Sequence, residues 1–158
     1  MVIRSGGQSG SDRAALDFAK KHNIKYKGWC PKGGWAEDYP TQPGLLTNYP
    51  SLTETPTNNI KQRTVWNVRD SDATLIITYD TSPGTNLTII AAEKLNKPHF
   101  LFTNNYEDLK EWLNKVIDIT TDLNVAGPRE SERNGVYSDT LTLLEEFLYP
   151  ILKDKKII

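Results

Sequence analysis

The sequence contains very few of the residues that build metal centres and disulfides. Its 158 residues include one cysteine, Cys30, and two histidines, His22 and His99. One cysteine has no partner for an internal disulfide, which is typical of a reducing compartment. Two separated histidines lack the paired spacing of a zinc site and offer no convincing base for a serine nucleophile. We therefore expect no metal site built by the protein and no catalytic residues.

Strong charge and long hydrophobic runs are also missing. The formal net charge is −1, so the chain has no general attraction to nucleic acid or anionic lipid. No apolar run is long enough to cross a bilayer, and the N-terminus lacks the apolar core of a signal peptide. We expect a cytoplasmic protein with small-molecule or protein partners, no nucleic acid and no membrane association.

A regular alternation of strand and helix patterns is present. Strand patterns cover residues 2–4, 24–29, 73–79, 99–103 and 117–125, and helical patterns cover residues 11–22, 59–70, 85–96, 106–115 and 138–153. The alternation predicts one α/β domain over residues 1–158, a Rossmann-like three-layer sandwich with a mostly parallel five-stranded sheet. A strand order of 2-1-3-4-5 would make the first and third strands neighbours, with ligands bound beyond their carboxyl ends.

Residues 30–58 interrupt this alternation. The segment is rich in proline, glycine, threonine and asparagine, and no regular element fits it. Its aromatic residues, including Trp35, Tyr39 and Tyr49, indicate an ordered flap packed over another part of the molecule. A lid over a ligand site is one interpretation of this flap.

Two polar turns each lead from a strand into a helix. The run from Gly6 to Arg13 follows the first strand, and its glycines permit a tight turn with free main-chain N–H groups at the helix start. Such a turn favours a phosphate or another oxyanion, although packing alone also explains it. A second turn, residues 80–85, follows the buried strand and is either another anion site or a simple helix cap.

Several charged side chains are candidates for contact with an anion. Arg129, in a third turn at residues 124–131, suits a phosphate or carboxylate, or pairs with Glu130 or Glu132. Lys32 adds a positive charge from the flap. In the first helix turn we expect Asp12 to stabilise the helix and Arg13 to point towards the crevice.

Two other residue groups have structural interpretations. One group lies on or just after the helix at residues 59–70: Arg63, Trp66, Asn67, Arg69, Asp70 and Asp72. Arginine–aspartate pairs that lock the helix to the sheet are the favoured interpretation, and a functional role is the alternative. Cys30 is either a small packed side chain or a ligand to a soft metal that arrives with a bound molecule.

Five segments, taken in order, carry a resemblance to a known family: residues 6–15, 28–33, 36–38, 67–74 and 124–131. Together they resemble the molybdenum cofactor carrier protein family. That family looks like part of a wider Rossmannoid group with the DprA proteins and the lysine-decarboxylase-like "lonely guy" phosphoribohydrolases. The resemblance implies a carrier that binds molybdenum cofactor, shields it from oxidation and delivers it, with molybdoenzymes as recipients. The exposed faces of the outer helices favour a homo-oligomeric assembly.

The resemblance and the turns together give a set of expected ligand contacts. The predicted ligand-binding residues are Gly6, Gly7, Gln8, Ser9, Gly10, Ser11, Arg13, Lys32, Ser82, Gly84, Thr85, Asn86 and Arg129. The phosphoribohydrolases carry a glutamate in the stretch Gly-Thr-X-X-Glu, and this chain has Thr88 there instead. We therefore expect a binding protein rather than an enzyme. The alternative is a sensor or hydrolase of a nucleotide or an ADP-ribose-like ligand.

Overall fold

A computed structural model describes residues 1–78 and 83–158 and contains one main sheet of five parallel strands. Its strands are β1 (Val2–Arg4), β2 (Lys25–Lys27), β5 (Ala73–Ile77), β6 (His99–Phe102) and β7 (Asp122–Ala126), while β3 (Trp29–Cys30) and β4 (Thr53–Glu54) form a separate parallel pair. The predicted Rossmann-like α/β class is confirmed. All five residues of β5 are buried, as expected for a strand covered on both faces.

Helices connect the strands close to the positions that the sequence predicted. They are α1 (Ser11–Lys21), α2 (Ile60–Arg69), α3 (Pro83–Lys94), α4 (Tyr106–Val116), α5 (Val136–Leu143) and α6 (Tyr149–Asp154). A π-helical segment, Leu144–Leu148, joins α5 to α6. The start of α2 shows why such boundaries are predictable: the Asn59 side chain accepts a hydrogen bond from the Lys61 N–H at 3.0 Å.

The main core lies between the sheet and the helices α1, α4, α5 and α6. Ile3, Phe18, Leu109 and Leu123 are among its fully buried side chains. Burial of each such side chain stabilises the fold by about 1.5–3 kcal/mol. Helices α2 and α3 pack against each other through a smaller apolar cluster and leave their first turns beside the ends of the strands.

The strand order is β2-β1-β7-β5-β6, so the expected order 2-1-3-4-5 is wrong. The last strand, β7, lies between β1 and β5: Leu123 pairs with Ile3 on one side and with Ala73 on the other. Counted with β7 first, the order becomes 3-2-1-4-5, which is the order of the Rossmann sheet. The switch point, where ligands bind in such sheets, therefore lies between β7 and β5.

The flap, residues 30–58, has more regular structure than the sequence suggested. It contains β4 and a 3₁₀ helix, Gly44–Thr47, so the expectation that no regular element fits was wrong. The predicted strand at residues 24–29 is split at Gly28, where the φ angle is +153° and a Cβ would overlap the carbonyl oxygen of Ser5. The flap packs onto α1, with Leu45 and Tyr49 against Leu16.

No helix within residues 1–78 and 83–158 is long and apolar enough to cross a membrane.

Candidate functional site

A cavity of about 170 Å³ lies at the carboxyl ends of β1, β7 and β5. We call it the switch-point cavity. It is lined by Gln8, Asp12, Ile60, Arg63, Thr64, Pro83, Gly84, Thr85, Thr88, Ala126, Gly127, Arg129 and Glu132. The three turns that the sequence singled out therefore meet at one place, and β7 brings the third turn between the other two.

A carboxylate from the chain itself, that of Asp12, lines this cavity. Asp12 is only 3% exposed, and it accepts hydrogen bonds from Arg63 Nη1 at 3.1 Å and from the main-chain N–H groups of Gln8 and Gly127. Burial raises the pKa of this carboxyl, and the Arg63 guanidinium opposes the rise. The Gln8 N–H, which the sequence predicted to be free for a ligand anion, is thus directed at Asp12.

Other groups of the first turn are bound to neighbouring chain segments. The Gly7 N–H donates to Ser5 Oγ at 3.1 Å, and the Ser11 N–H donates to the Pro128 carbonyl at 3.2 Å. At Gly10 the φ angle is +82° and a Cβ would overlap the same carbonyl. The turn therefore packs closely against the loop that follows β7.

Hydroxyl groups of the first turn reinforce this packing. Ser9 Oγ hydrogen-bonds to the Glu37 carboxylate and accepts from the Glu130 N–H at 3.1 Å. Ser11 Oγ lies 2.9 Å from Thr140 Oγ1. A Cβ at Gly6 would overlap the Arg63 guanidinium, so this glycine makes room for the arginine.

Gln8 contributes a buried amide to the cavity. The residue is 2% exposed, and its Nε2 donates to the Trp35 main-chain carbonyl at 2.9 Å. Gln8 Oε1 and Arg63 Nε are buried and have no hydrogen-bond partner among residues 1–78 and 83–158. Both atoms are enclosed by the surrounding protein.

Arg13 is placed away from the switch-point cavity. Its guanidinium makes two hydrogen bonds to Asp38, at 2.8 and 2.9 Å, and two more to the Gly7 carbonyl. It also lies over the rings of Tyr39 and Tyr49, 4.9 and 5.6 Å from their centroids. Arg13 therefore fastens the flap to α1, and Asp12, rather than Arg13, faces the cavity.

The two other predicted cations occupy different places. Arg129 lines the switch-point cavity and also forms an ion pair, with its Nε 3.4 Å from Glu132 Oε1. Lys32 is exposed and lines a separate, open cavity of about 630 Å³ beside Trp35. The structure therefore brings Arg129, but not Lys32, to the converging turns.

An apolar groove of about 370 Å³ adjoins the switch-point cavity. Ile60, Leu87 and Ile90 line it, and Arg63 and Gly84 line both spaces. Ile60 and Ile90 are large apolar side chains left 41% and 46% exposed. The groove offers a surface for a flat ring next to the polar cavity.

The turn before α3 is described only in part. Thr85 is buried in the switch-point cavity, whereas the predicted contact Asn86 lines the apolar groove. Ser82, also predicted, lies outside the described residues. A Cβ at Gly84 would have no neighbour within 4 Å.

Sequence reasoning missed the roles of Asp12 and Arg63. Asn67, four residues after Arg63 on α2, hydrogen-bonds both main-chain groups of Trp29, at 2.8 and 3.0 Å. Residues four apart lie on the same face of a helix. The spacing of Arg63 and Asn67 in the sequence was therefore a signal that both side chains face the same strand ends.

Cys30 does not line the switch-point cavity. Cys30 is fully buried among apolar flap residues, and burial raises the pKa of its thiol to about 11. Residues 1–78 and 83–158 contain no group of three or more metal-ligating side chains arranged around a common point.

A family model for the circularly permutated YpsA SLOG family matches residues 3–148. The chain belongs to the circularly permutated YpsA SLOG family. Permutation agrees with the sheet, because counting β7 first restores the Rossmann order.

A solved structure supports the same placement of this SLOG family member. The crystal structure of a "Putative molybdenum carrier protein" from Syntrophus aciditrophicus is 42% identical to the chain, covers 93% of it and 94% of its own length, and superposes with a TM-score of 0.81. The resemblance recognised in the sequence is confirmed. No curated protein matches the chain significantly.

The lining of this cavity in the SLOG family member combines paired charges with polar hydroxyl groups. Thr88, at the position where the phosphoribohydrolases carry glutamate, lines the cavity and its hydroxyl donates to the Gly84 carbonyl at 3.0 Å. Arg63 and Arg129 supply positive charge, and Asp12 and Glu132 balance it. Such a lining, beside the apolar groove, is chemically suited to a molecule that combines polar groups with a ring.

Proposed function

We propose that the chain binds molybdenum cofactor as its cargo, protects it and hands it over to a molybdoenzyme. The main support is the switch-point cavity, where converging turns present two arginines next to an apolar groove. The cofactor has matching parts, a flat pyranopterin ring and an anionic phosphate and molybdenum group. The 42% identical relative named as a molybdenum carrier supports the same cargo.

The cavity suggests how each part of the cargo would be held. Arg129, which is 35% exposed at its side chain, would neutralise the anionic end. The first turn of α3, with Gly84, Thr85 and Asn86, would add main-chain N–H groups at a helix N-terminus. The turn from Gly6 to Ser11 would shape the floor, and the apolar groove would cover the ring.

The first experiment is purification from cells able and unable to make molybdenum cofactor. We expect molybdenum and a pterin to leave the denatured protein only when it comes from competent cells. The measurement is elemental analysis for molybdenum together with mass spectrometry of the released molecule. Protein from competent cells that carries neither would contradict the proposed function.

A variant that fills the cavity tests its location. Gly84→Trp places a large ring in open space without a strained φ angle, so the fold should survive while bound molybdenum falls. Glu93→Trp is the matched control, because Glu93 is exposed on the same helix and lines neither space. Equal molybdenum in both variants would mean that cargo binds elsewhere.

A nucleotide or ADP-ribose-like ligand is the second candidate. One observation favours it: the Asp12 carboxyl lies in the cavity with its pKa raised by burial, as suits a group that exchanges a proton. Incubation with AMP or ADP-ribose, followed by chromatography, would detect released base or ribose. Steady turnover, abolished in Asp12→Asn, would favour the hydrolase over the carrier.

A further inference from the structure

The Glu37 carboxylate of the flap is held where the first turn meets the loop that follows β7. Two hydroxyl groups, Ser9 Oγ and Ser131 Oγ, donate to it, the latter at 2.5 Å. The Ser131 N–H donates at 3.3 Å, and Arg129 Nη1 lies 3.9 Å away. Partial burial raises the pKa of the Glu37 carboxyl, but the hydrogen bonds from the two serines outweigh this effect and lower it, so the group is charged at neutral pH.

The groups around this carboxylate match any oxyanion. A carboxylate only accepts hydrogen bonds, so each hydroxyl and N–H faces it as a donor, and the guanidinium adds a positive charge. Ser9 Oγ also accepts from the Glu130 N–H at 3.1 Å, which orients its own proton towards Glu37. A phosphate oxygen in the place of the carboxylate would meet the same donors, already oriented.

Solvent reaches the Glu37 carboxylate and its partners. The side chain of Glu37 is 24% exposed, that of Arg129 is 35% exposed, and Ser131 is an exposed residue. A partly exposed ion pair as long as 3.9 Å contributes little to stability. Asp12, by contrast, is only 3% exposed. An anion from solution can therefore compete with Glu37, whereas Asp12 is enclosed.

Displacement of Glu37 leaves the neighbouring contacts intact. The next residue, Asp38, keeps the flap on α1 through hydrogen bonds to Arg13 at 2.8 and 2.9 Å. Arg129 stays in place because Glu132 accepts from its main-chain N–H at 2.9 Å and from its Nε at 3.4 Å. Only the Glu37 side chain has to rotate for another anion to enter.

We propose that Ser9, Ser131 and Arg129 form an oxyanion-binding site that the Glu37 carboxylate fills until a ligand displaces it. This inference rests on the proposed function, in which Arg129 meets the anionic end of the cargo. A phosphate group of the ligand takes the place of the carboxylate, and Glu37 turns towards solvent. Because Arg129 also lines the switch-point cavity, the phosphate lies at the edge of that cavity. Glu37 thus sets how tightly the chain holds an anion.

Calorimetric titration with inorganic phosphate tests this competition. Glu37→Gln keeps the size of the side chain and removes its charge, so phosphate should bind about tenfold more tightly. Asp38→Asn is the matched control, because it makes the same charge change one residue away, beside Arg13. Its phosphate affinity should stay within about twofold of that of the unmodified protein. No gain in Glu37→Gln, or an equal gain in both variants, would overturn the inference.

The Ser131 hydroxyl tests where the anion binds. Ser131→Ala, added to Glu37→Gln, should weaken phosphate binding about tenfold, because one hydrogen bond to the anion is lost. A general effect of charge would leave this affinity unchanged and would overturn the inference.

An NMR titration of the unmodified protein with phosphate needs no folded variant. The amide resonance of Ser131 should shift as its acceptor changes. The amide of Gly33 is the control, because it donates to another carboxylate, that of Glu54, at 2.6 Å and should not shift. A Ser131 resonance that stays in place at saturating phosphate would overturn the inference.

The proposed function and this inference fail separately. If phosphate displaces Glu37 but the purified protein carries no molybdenum, only the carrier function fails. If the protein carries molybdenum and Glu37→Gln binds phosphate no more tightly than the unmodified protein, only the inference fails.

Discussion

Removal of the Arg63 side chain should lower the free energy of unfolding, because it takes away the cation that pairs with the buried Asp12 carboxylate. In the substitution Arg63→Met the carboxylate, 3% exposed, loses its only ion-pair partner within 4 Å among the described residues. Breaking a buried pair by removing one partner costs about 3–5 kcal/mol. For a chain of 158 residues this corresponds to a fall in Tm of roughly 6–20 °C.

The loss of stability in Arg63→Met should depend on pH, and the pKa of Asp12 sets the direction of that dependence. Burial already raises the pKa of this carboxyl above the ordinary value of 3.8, and loss of Arg63 raises it further. A folded-state pKa above the unfolded value gives a stability contribution that is complete below pH 3.8 and lost as pH rises through the folded value. The deficit of Arg63→Met should therefore be largest at pH 7 and shrink towards pH 4.5.

Urea unfolding of both proteins from pH 4.5 to 8 measures this dependence. Arg69→Met is the control on the same helix, since Arg69 pairs with Asp70 at 2.8 Å but is 45% exposed at its side chain. Its cost should stay below about 1 kcal/mol at every pH. Adding Asp12→Asn to Arg63→Met should recover part of the loss. A deficit equal to that of Arg69→Met, or one independent of pH, would refute the reasoning.

Three further predictions concern other parts of the chain. Gly28→Ala should destabilise the fold by about 3 kcal/mol or more in urea unfolding, because the added Cβ overlaps main-chain atoms. Gly84→Ala is the control: its Cβ lies in open space, so its free energy of unfolding should stay within about 1 kcal/mol of that of the unmodified protein. Cys30, buried with a thiol pKa of about 11, should resist iodoacetamide at pH 8 and react after denaturation. Mass spectrometry measures the labelling, and rapid labelling of the native protein would contradict this prediction. Arg129→Ala should weaken inorganic phosphate binding in calorimetry without lowering Tm, and unchanged affinity would place the anion elsewhere.

Local signals in the sequence were sufficient for the helices and for the fold class. The glycine turn followed by Ser11 predicted the start of α1, and the apolar run at residues 74–77 predicted a strand covered on both faces. Both patterns involve residues only a few positions apart, so they determine the local main-chain conformation directly.

Strand order and charge pairing could not be predicted in the same way. The place of β7 between β1 and β5 depends on pairing between residues 50 apart on one side and 120 apart on the other, and no local pattern encodes it. Arg13 was expected at the crevice because it lies in the first turn of α1, yet Asp38 of the flap binds it. Gln8, by contrast, was predicted at the site and lines the cavity.

The most direct test of the account is the molybdenum content of gently purified protein from cells that make the cofactor, compared between the unmodified chain, Gly84→Trp and Glu93→Trp. We predict pterin-bound molybdenum in the unmodified chain and in Glu93→Trp, and its loss in Gly84→Trp, because Gly84 lines both the switch-point cavity and the apolar groove and the new ring would occupy space that the cargo needs. Molybdenum absent from the unmodified chain, or undiminished in Gly84→Trp, would contradict the claim that this cavity carries the cargo.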